Sequence, residues 1–169
     1  TTASVVNAKT SAEPYVDFNR SDVRETFEKT LSELRAKGAE VVEPVVSSQI
    51  LESYEAQNIY NPSLTTEVVS KVKWAKLESL ETVHATLDAG EKLWKKRGYE
   101  ERAIILEKIA ENLRLNRVKL SAIMTLEVGK NLRESDADLC EAVDFCTYYA
   151  AEYRKLMAGK EVESALGEK

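Results

Sequence analysis

After Pro62 the chain contains no further proline, and from Leu77 onward its apolar residues return at every third or fourth position. Proline removes a backbone donor and clashes with the preceding turn, so a long proline-free stretch with this period is free to be helix almost throughout. Glycine supplies the stops. The pattern predicts four successive helices. The first carries Leu80, Val83, Leu87, Gly90 and Trp94 and stops near Gly98. The second runs from about Tyr99 with Ala103, Leu106, Ala110 and Leu113 on one side. The third carries Leu120, Ile123 and Met124 and ends at Gly129. The last is capped at Asn131, presents Leu132, Leu139, Val143, Cys146, Ala150, Tyr153 and Met157, and is released at Gly159.

The part before Leu77 reads differently. The first stretch, through Glu13-Pro14, is small and polar, and a tail over residues 1–18 reads as extended, lying on something else or disordered. A helix follows over about 20–37, with Val23, Phe27, Leu31 and Leu34 at helical spacing, Ser21 or Asn19 as its cap and Gly38 at its end. From about 41 to 73 the runs Val41-Val42, Val45-Val46, Ile50-Leu51, Ile59-Tyr60 and Val68 to Val72 are β-branched or aromatic, and Asn61-Pro62-Ser63 is a turn. Short strands joined by a hairpin are expected, with Pro44 making the first strand either an edge or short. Alternation resumes in Glu161-Val162-Glu163-Ser164, within a C-terminal tail of 160–169. The fold class is therefore mainly α with a small β hairpin element, α+β, with the helical domain over 19–159.

Composition excludes several functions. With 43% hydrophobic and 31% charged residues, the chain is of ordinary globular type, and a chain of this length buries roughly 70% of its unfolded surface. The net charge is −5, with Lys and Arg dispersed, so no face gathers phosphates and nucleic acid is not an expected partner. No apolar run approaches the roughly 20 residues needed to cross a bilayer, so a direct membrane span is not expected. The chain opens with Thr1 and shows no secretory-signal pattern, an observation that initiator removal or loss of a presequence would also produce. Cys140 and Cys146 lie six apart on one helix, about 240° around it, which excludes an unstrained bridge between them.

Candidate reactive groups are few. His84 is the only histidine, with no nucleophile, acid or further ligand at a useful spacing, and reads as structural or solvent-facing. Cys140 is flanked by Asp138 and Glu141, and Cys146 follows Asp144; acids disfavour a thiolate, so both read as core or boundary thiols. Glu134, Asp136, Asp138, Glu141 and Asp144 lack the curved backbone of a cation loop and read as a solvated, dipole-favoured helix face. The 6 glycines compose neither a dinucleotide fingerprint nor a phosphate loop. No catalytic, cofactor-binding or metal residue is expected from these patterns, and no cofactor.

Several segments together resemble aldehyde dehydrogenases. These are Glu13-Pro14-Tyr15-Val16-Asp17-Phe18, the Asn61-Pro62-Ser63 turn, the Trp94 segment, Leu126 to Asn131 (LEVGKN), Glu134 to Asp138 (ESDAD) and Glu141 to Phe145 (EAVDF). Within that superfamily the likeness is greatest to the Δ1-pyrroline-5-carboxylate dehydrogenases. It covers nearly the whole chain in order and matches about the first third of such enzymes. The resemblance implies a truncated N-terminal part of the aldehyde-dehydrogenase fold, with the helices from Leu77 to Met157 packing as one layer beside the hairpin. It also implies that the family's Rossmann glycines, base and cysteine nucleophile have no counterparts here. Glu127, the Glu of the Glu-Val-Gly-Lys run, is the one position to which it carries a role, near the substrate entrance.

Two functions follow as expectations. The first is a non-catalytic structural or accessory subunit of a larger assembly, with other protein subunits as partners. A mitochondrial respiratory or ATP-synthase complex is one possible host, and a cytoplasmic location is the alternative. The second is an N-terminal fragment of an active NAD-dependent Δ1-pyrroline-5-carboxylate dehydrogenase of proline catabolism.

Overall fold

A computed structural model describes residues 11–159 of the chain; the first ten residues of the expected tail and the alternation at 161–164 lie outside them. The first helix, α1 (Ser21–Lys37), ends at Gly38, whose φ of 78° is a conformation that residues with a Cβ rarely adopt. Its cap is neither Ser21 nor Asn19. Arg20 holds the position and contributes no side-chain bond; instead Arg24 reaches back to the carbonyls of Phe18 and Asn19 at 2.8 and 2.7 Å. Phe27 is the one fully buried residue of this helix, and Phe18 packs tilted against it at 5.2 Å between ring centres.

The β-rich stretch forms two separate ladders, where one hairpin was expected. Strands β1 (Glu40–Val42), β4 (Gln57–Asn61) and β5 (Leu64–Val72) make a sheet in the order β1-β5-β4, with β4 antiparallel and β1 parallel to β5. Strands β2 (Val45–Val46) and β3 (Gln49–Ile50) pair on their own across Ser47 and Ser48, which take φ values of 47° and 66°. Pro44 marks the division. It has no donor to extend β1, and its carbonyl is used by the Leu51 amide at 2.9 Å.

Four helices follow a short 3-10 turn over Leu77–Ser79: α2 (Leu80–Lys96), α3 (Tyr99–Leu115), α4 (Arg117–Val128) and α5 (Leu132–Ala158). The 27-residue α5 is the central member and packs along α3 and α4, while α1 packs on α4. Ala103 and Ala110 of α3, Ala122 of α4 and Ala150 of α5 are all fully buried, so small residues sit where the helices meet. Leu126, Leu139 and Val143 fill the space between them, at about 1.5–3 kcal/mol for each such side chain removed from water. Helix α2 departs from the expected layer. It buries no residue, and Leu80, Leu87, Leu93 and Trp94 are all exposed.

The sheet is fixed to the helices at one tight point. Gly129 ends α4 in the left-handed conformation at φ 73°, and a Cβ built there would lie 2.8 Å from Cγ of Pro62 at the hairpin tip. A methyl group therefore meets both backbone strain and a ring that cannot swing away. Gly129→Ala is expected to destabilise the protein by about 1–3 kcal/mol, whereas Gly90→Ala, inside α2 with no described atom within 4 Å of the added Cβ, is expected to stabilise it by about 0.5–1 kcal/mol. Urea denaturation of both variants measures the difference, and a Gly129→Ala protein as stable as the parent would show that neither the strain nor the Pro62 contact costs anything.

Candidate functional site

Residues 11–18 form no helix or strand, yet their backbone is tied down by the side chains of α4 and α5. The Glu13 amide donates to Asp144 Oδ1 at 2.8 Å, the Val16 amide to Asp136 Oδ2 at 2.9 Å, and Arg117 Nη2 donates to the Pro14 carbonyl at 2.9 Å. The Glu13 carboxylate lies 2.9 Å from Arg114 Nε and 3.6 Å from Arg117 Nη1. Backbone groups that have no ladder of their own thus find partners on the helices.

At the centre of these contacts is a buried charge. Asp136 is 1% exposed and accepts from Arg117 Nε at 2.7 Å and Nη2 at 2.9 Å, a two-point pairing of carboxylate and guanidinium. This overturns the reading of the α5 acids as a uniformly solvated face: Asp136 is interior, while Glu134 and Glu141 are exposed. The reason was visible in its position. Asp136 stands four residues after Leu132 and three before Leu139, on the apolar stripe, where an acid requires a cation from elsewhere in the chain. No spacing rule identifies that cation as Arg117, which begins the previous helix.

Cys140, 2% exposed, lies one turn beyond Asp136, with Arg117 Nη2 at 2.9 Å from its sulfur. Burial pushes its thiol above the ordinary cysteine range; Arg117 pulls it down, while Asp136, Glu13 and Asp144 add to the rise. Asp138 and Glu141, the neighbours in sequence, are not among the causes. Cys146 is half-buried and also free. His84 is exposed on α2, and among the described residues no group of three or more His, Cys, Asp or Glu is placed to hold a metal ion. No described helix is long and apolar enough to cross a membrane.

Glu127 lies in a different place, in a cavity of about 370 Å³ between the end of α1, strands β1 and β5, and α4. Ser70 of β5, 6% exposed, donates to Glu127 Oε1 at 2.7 Å and so joins sheet to helix. Around the cavity Arg35 pairs with Glu67 at 2.7 Å and Lys37 with Glu40; Lys37, and with smaller effect Lys119, holds the Glu40 carboxyl below the usual range. Leu34, Val42, Val68, Ile123 and Leu126 supply apolar wall. Sequence reading singled out Glu127 alone. Ser70 and Lys119 carry no pattern that predicts them, because their significance comes from the sheet lying against α4.

Compared with known proteins, residues 50–169 match the family described as the aldehyde dehydrogenase family. The chain is similar to the 1-pyrroline-5-carboxylate dehydrogenase of Bacillus pumilus, 34% identical over 157 residues, and to that of a Geobacillus species, 35% identical over 156; each alignment takes in 92% of this chain and 30% of the relative. Among solved structures it is similar to proline utilization A from Bdellovibrio bacteriovorus inactivated by N-propargylglycine, with 36% identity and a TM-score of 0.83, over 86% of this chain and 15% of that one. It is also similar to a mutant 1-pyrroline-5-carboxylate dehydrogenase of Thermus thermophilus, at 30% identity and a TM-score of 0.78, over 93% and 31% of the two chains. The chain thus spans under a third of the length of these relatives.

The buried pair makes a direct prediction. Arg117→Ala removes the cationic partner of the buried Asp136 carboxyl and should cost about 3–5 kcal/mol in denaturant unfolding, whereas Arg35→Ala, at an exposed pair, should cost about 0–1 kcal/mol. Cys140 should react with a thiol reagent far more slowly than Cys146 in the native protein, and at a matching rate in urea; mapping the labelled cysteine by mass spectrometry checks this.

Proposed function

The chain belongs to the aldehyde dehydrogenase family, and from that premise we propose that it is the N-terminal portion of an NAD-dependent 1-pyrroline-5-carboxylate dehydrogenase. The observation that carries this reading is collinearity. Likeness runs through 92% of the chain and is confined to 30% of each dehydrogenase relative, so the chain stands to them as a part to a whole.

Physical chemistry supports the same division. Oxidation of an aldehyde through a thioester needs an activated thiolate, a base, an oxyanion donor and a cofactor held in line. The described residues supply a thiol whose burial opposes ionisation, and a scaffold that holds Glu127 beside a cavity. In this proposal the reactive groups lie in the part of the enzyme that the chain does not span, and Glu127 contributes to the substrate entrance. Exposed apolar side chains such as Leu87 and Trp94 on α2 and Phe145 and Tyr149 on α5 would then be covered by that part.

A second reading, a non-catalytic subunit of a larger assembly, is favoured by those same faces, which another protein could cover without chemistry. One experiment separates the two. Co-expression of the chain with the unmatched remainder of the Bacillus pumilus enzyme should restore NAD reduction with 1-pyrroline-5-carboxylate that neither piece shows alone. A complex that forms but stays inactive, together with co-purification of the native protein with subunits unrelated to dehydrogenases, would overturn the first reading and support the second.

A further inference from the structure

The segment before α1 is attached to the body in two unlike ways. From Asp17 onward it belongs to α1: the Arg20 amide donates to the Asp17 carbonyl at 3.2 Å, Arg24 holds the carbonyls of Phe18 and Asn19, and Phe18 packs on Phe27. Residues 11–16 are held by polar groups instead. Their ties are the Glu13 and Val16 amides on Asp144 and Asp136, the Pro14 carbonyl on Arg117, and the Glu13 carboxylate between Arg114 and Arg117. None of these six residues is buried, and Tyr15 is 73% exposed. A cavity of about 390 Å³ also separates residues 15–19 from the start of α5, with Arg133, Asp136 and Ala137 on its wall, so the segment is not packed down along its length.

Polar groups of this kind exchange their partners for water at a small net cost, whereas separating α3, α4 and α5 exposes side chains that are fully buried. The segment therefore opens more easily than the body unfolds. Beneath it lies Cys140, whose sulfur is 3.8 Å from the Pro14 carbonyl and 2.9 Å from Arg117 Nη2. Arg117 is bonded to Asp136 within the body and stays when the segment leaves. Opening thus lessens the burial that most strongly opposes ionisation of the thiol, and it keeps the guanidinium that favours the thiolate.

We propose that residues 11–16 form a releasable strap, hinged at Asp17, which leaves α4 and α5 while the helical body stays folded and thereby turns Cys140 from a shielded thiol into a reactive one. Every contact involved lies within this chain, so the inference does not rest on the dehydrogenase reading. Alkylation of the full chain by iodoacetamide, in which the thiolate displaces iodide, tests it. The modified cysteine is mapped by mass spectrometry, and its rate is followed from zero urea to the unfolding transition. Release of a short strap exposes little surface, so the Cys140 rate should stay nearly constant in urea well below the transition and rise steeply only near it. Glu13→Ala, which takes the carboxylate from Arg114 and Arg117, should raise the Cys140 rate without urea about tenfold and leave the Cys146 rate unchanged. Gly129→Ala, at the opposite end of α4 from Arg117, should lower the unfolding midpoint and leave the Cys140 rate without urea as it was. The proposal is overturned by any of four results: no alkylation of Cys140 below the transition, a rate that climbs with urea from the outset along the global unfolding slope, a rate insensitive to Glu13→Ala, or equal acceleration by Gly129→Ala.

Discussion

The neutralisation of Asp136 by Arg117 is the interaction on which the helical body turns. A carboxylate at 1% exposure is costly unless charge and lone pairs are both met. Arg117 meets the charge with two nitrogens, and the Val16 amide takes a further lone pair. Because Arg117 opens α4 and Asp136 sits in the second turn of α5, the pair sets how the two helices approach. Because the same guanidinium also reaches the Pro14 carbonyl and the Cys140 sulfur, it fastens the segment before α1 to the body. One side chain thus holds together two helices and an extended strap.

A second constraint acts at the other end of α4. Gly129 lets the helix end against Pro62, which brings the hairpin onto α4 and places Ser70 against Glu127. The cavity exists because of that approach: its walls come from α1, from two strands paired in parallel and from α4, elements far apart in the chain. The geometry of Glu127 is consequently a property of the sheet-to-helix contact as much as of its own helix.

The unevenness of burial is also informative. Helices α3, α4 and α5 share fully buried alanines, while α2 buries nothing and α5 carries Phe145, Tyr148 and Tyr149 in the open, with Tyr149 near the rings of both others. Isolated exposed apolar residues are ordinary, but an apolar stripe along a whole helix is the mark of a surface that another element covers. In a chain that spans 30% of its dehydrogenase relatives, that surface and the scarcity of reactive groups have a common origin in the proposed part-to-whole relation.

Local physics was readable from the sequence alone. Glycine stops, the Asn131 cap, the helical period and the β-branched runs are all short-range signals, and they place five helices and the hairpin turn at Pro62 with little error. What tertiary structure decided was every statement that joins distant residues: that β1 pairs in parallel with β5, that Arg117 is the partner of Asp136, that α2 stands uncovered, and that Ser70 holds Glu127. Sequence period records which side of an element avoids water, and it identifies the stripe on which Asp136 lies. It contains no term for which other element arrives there, because that depends on the packing of the whole chain.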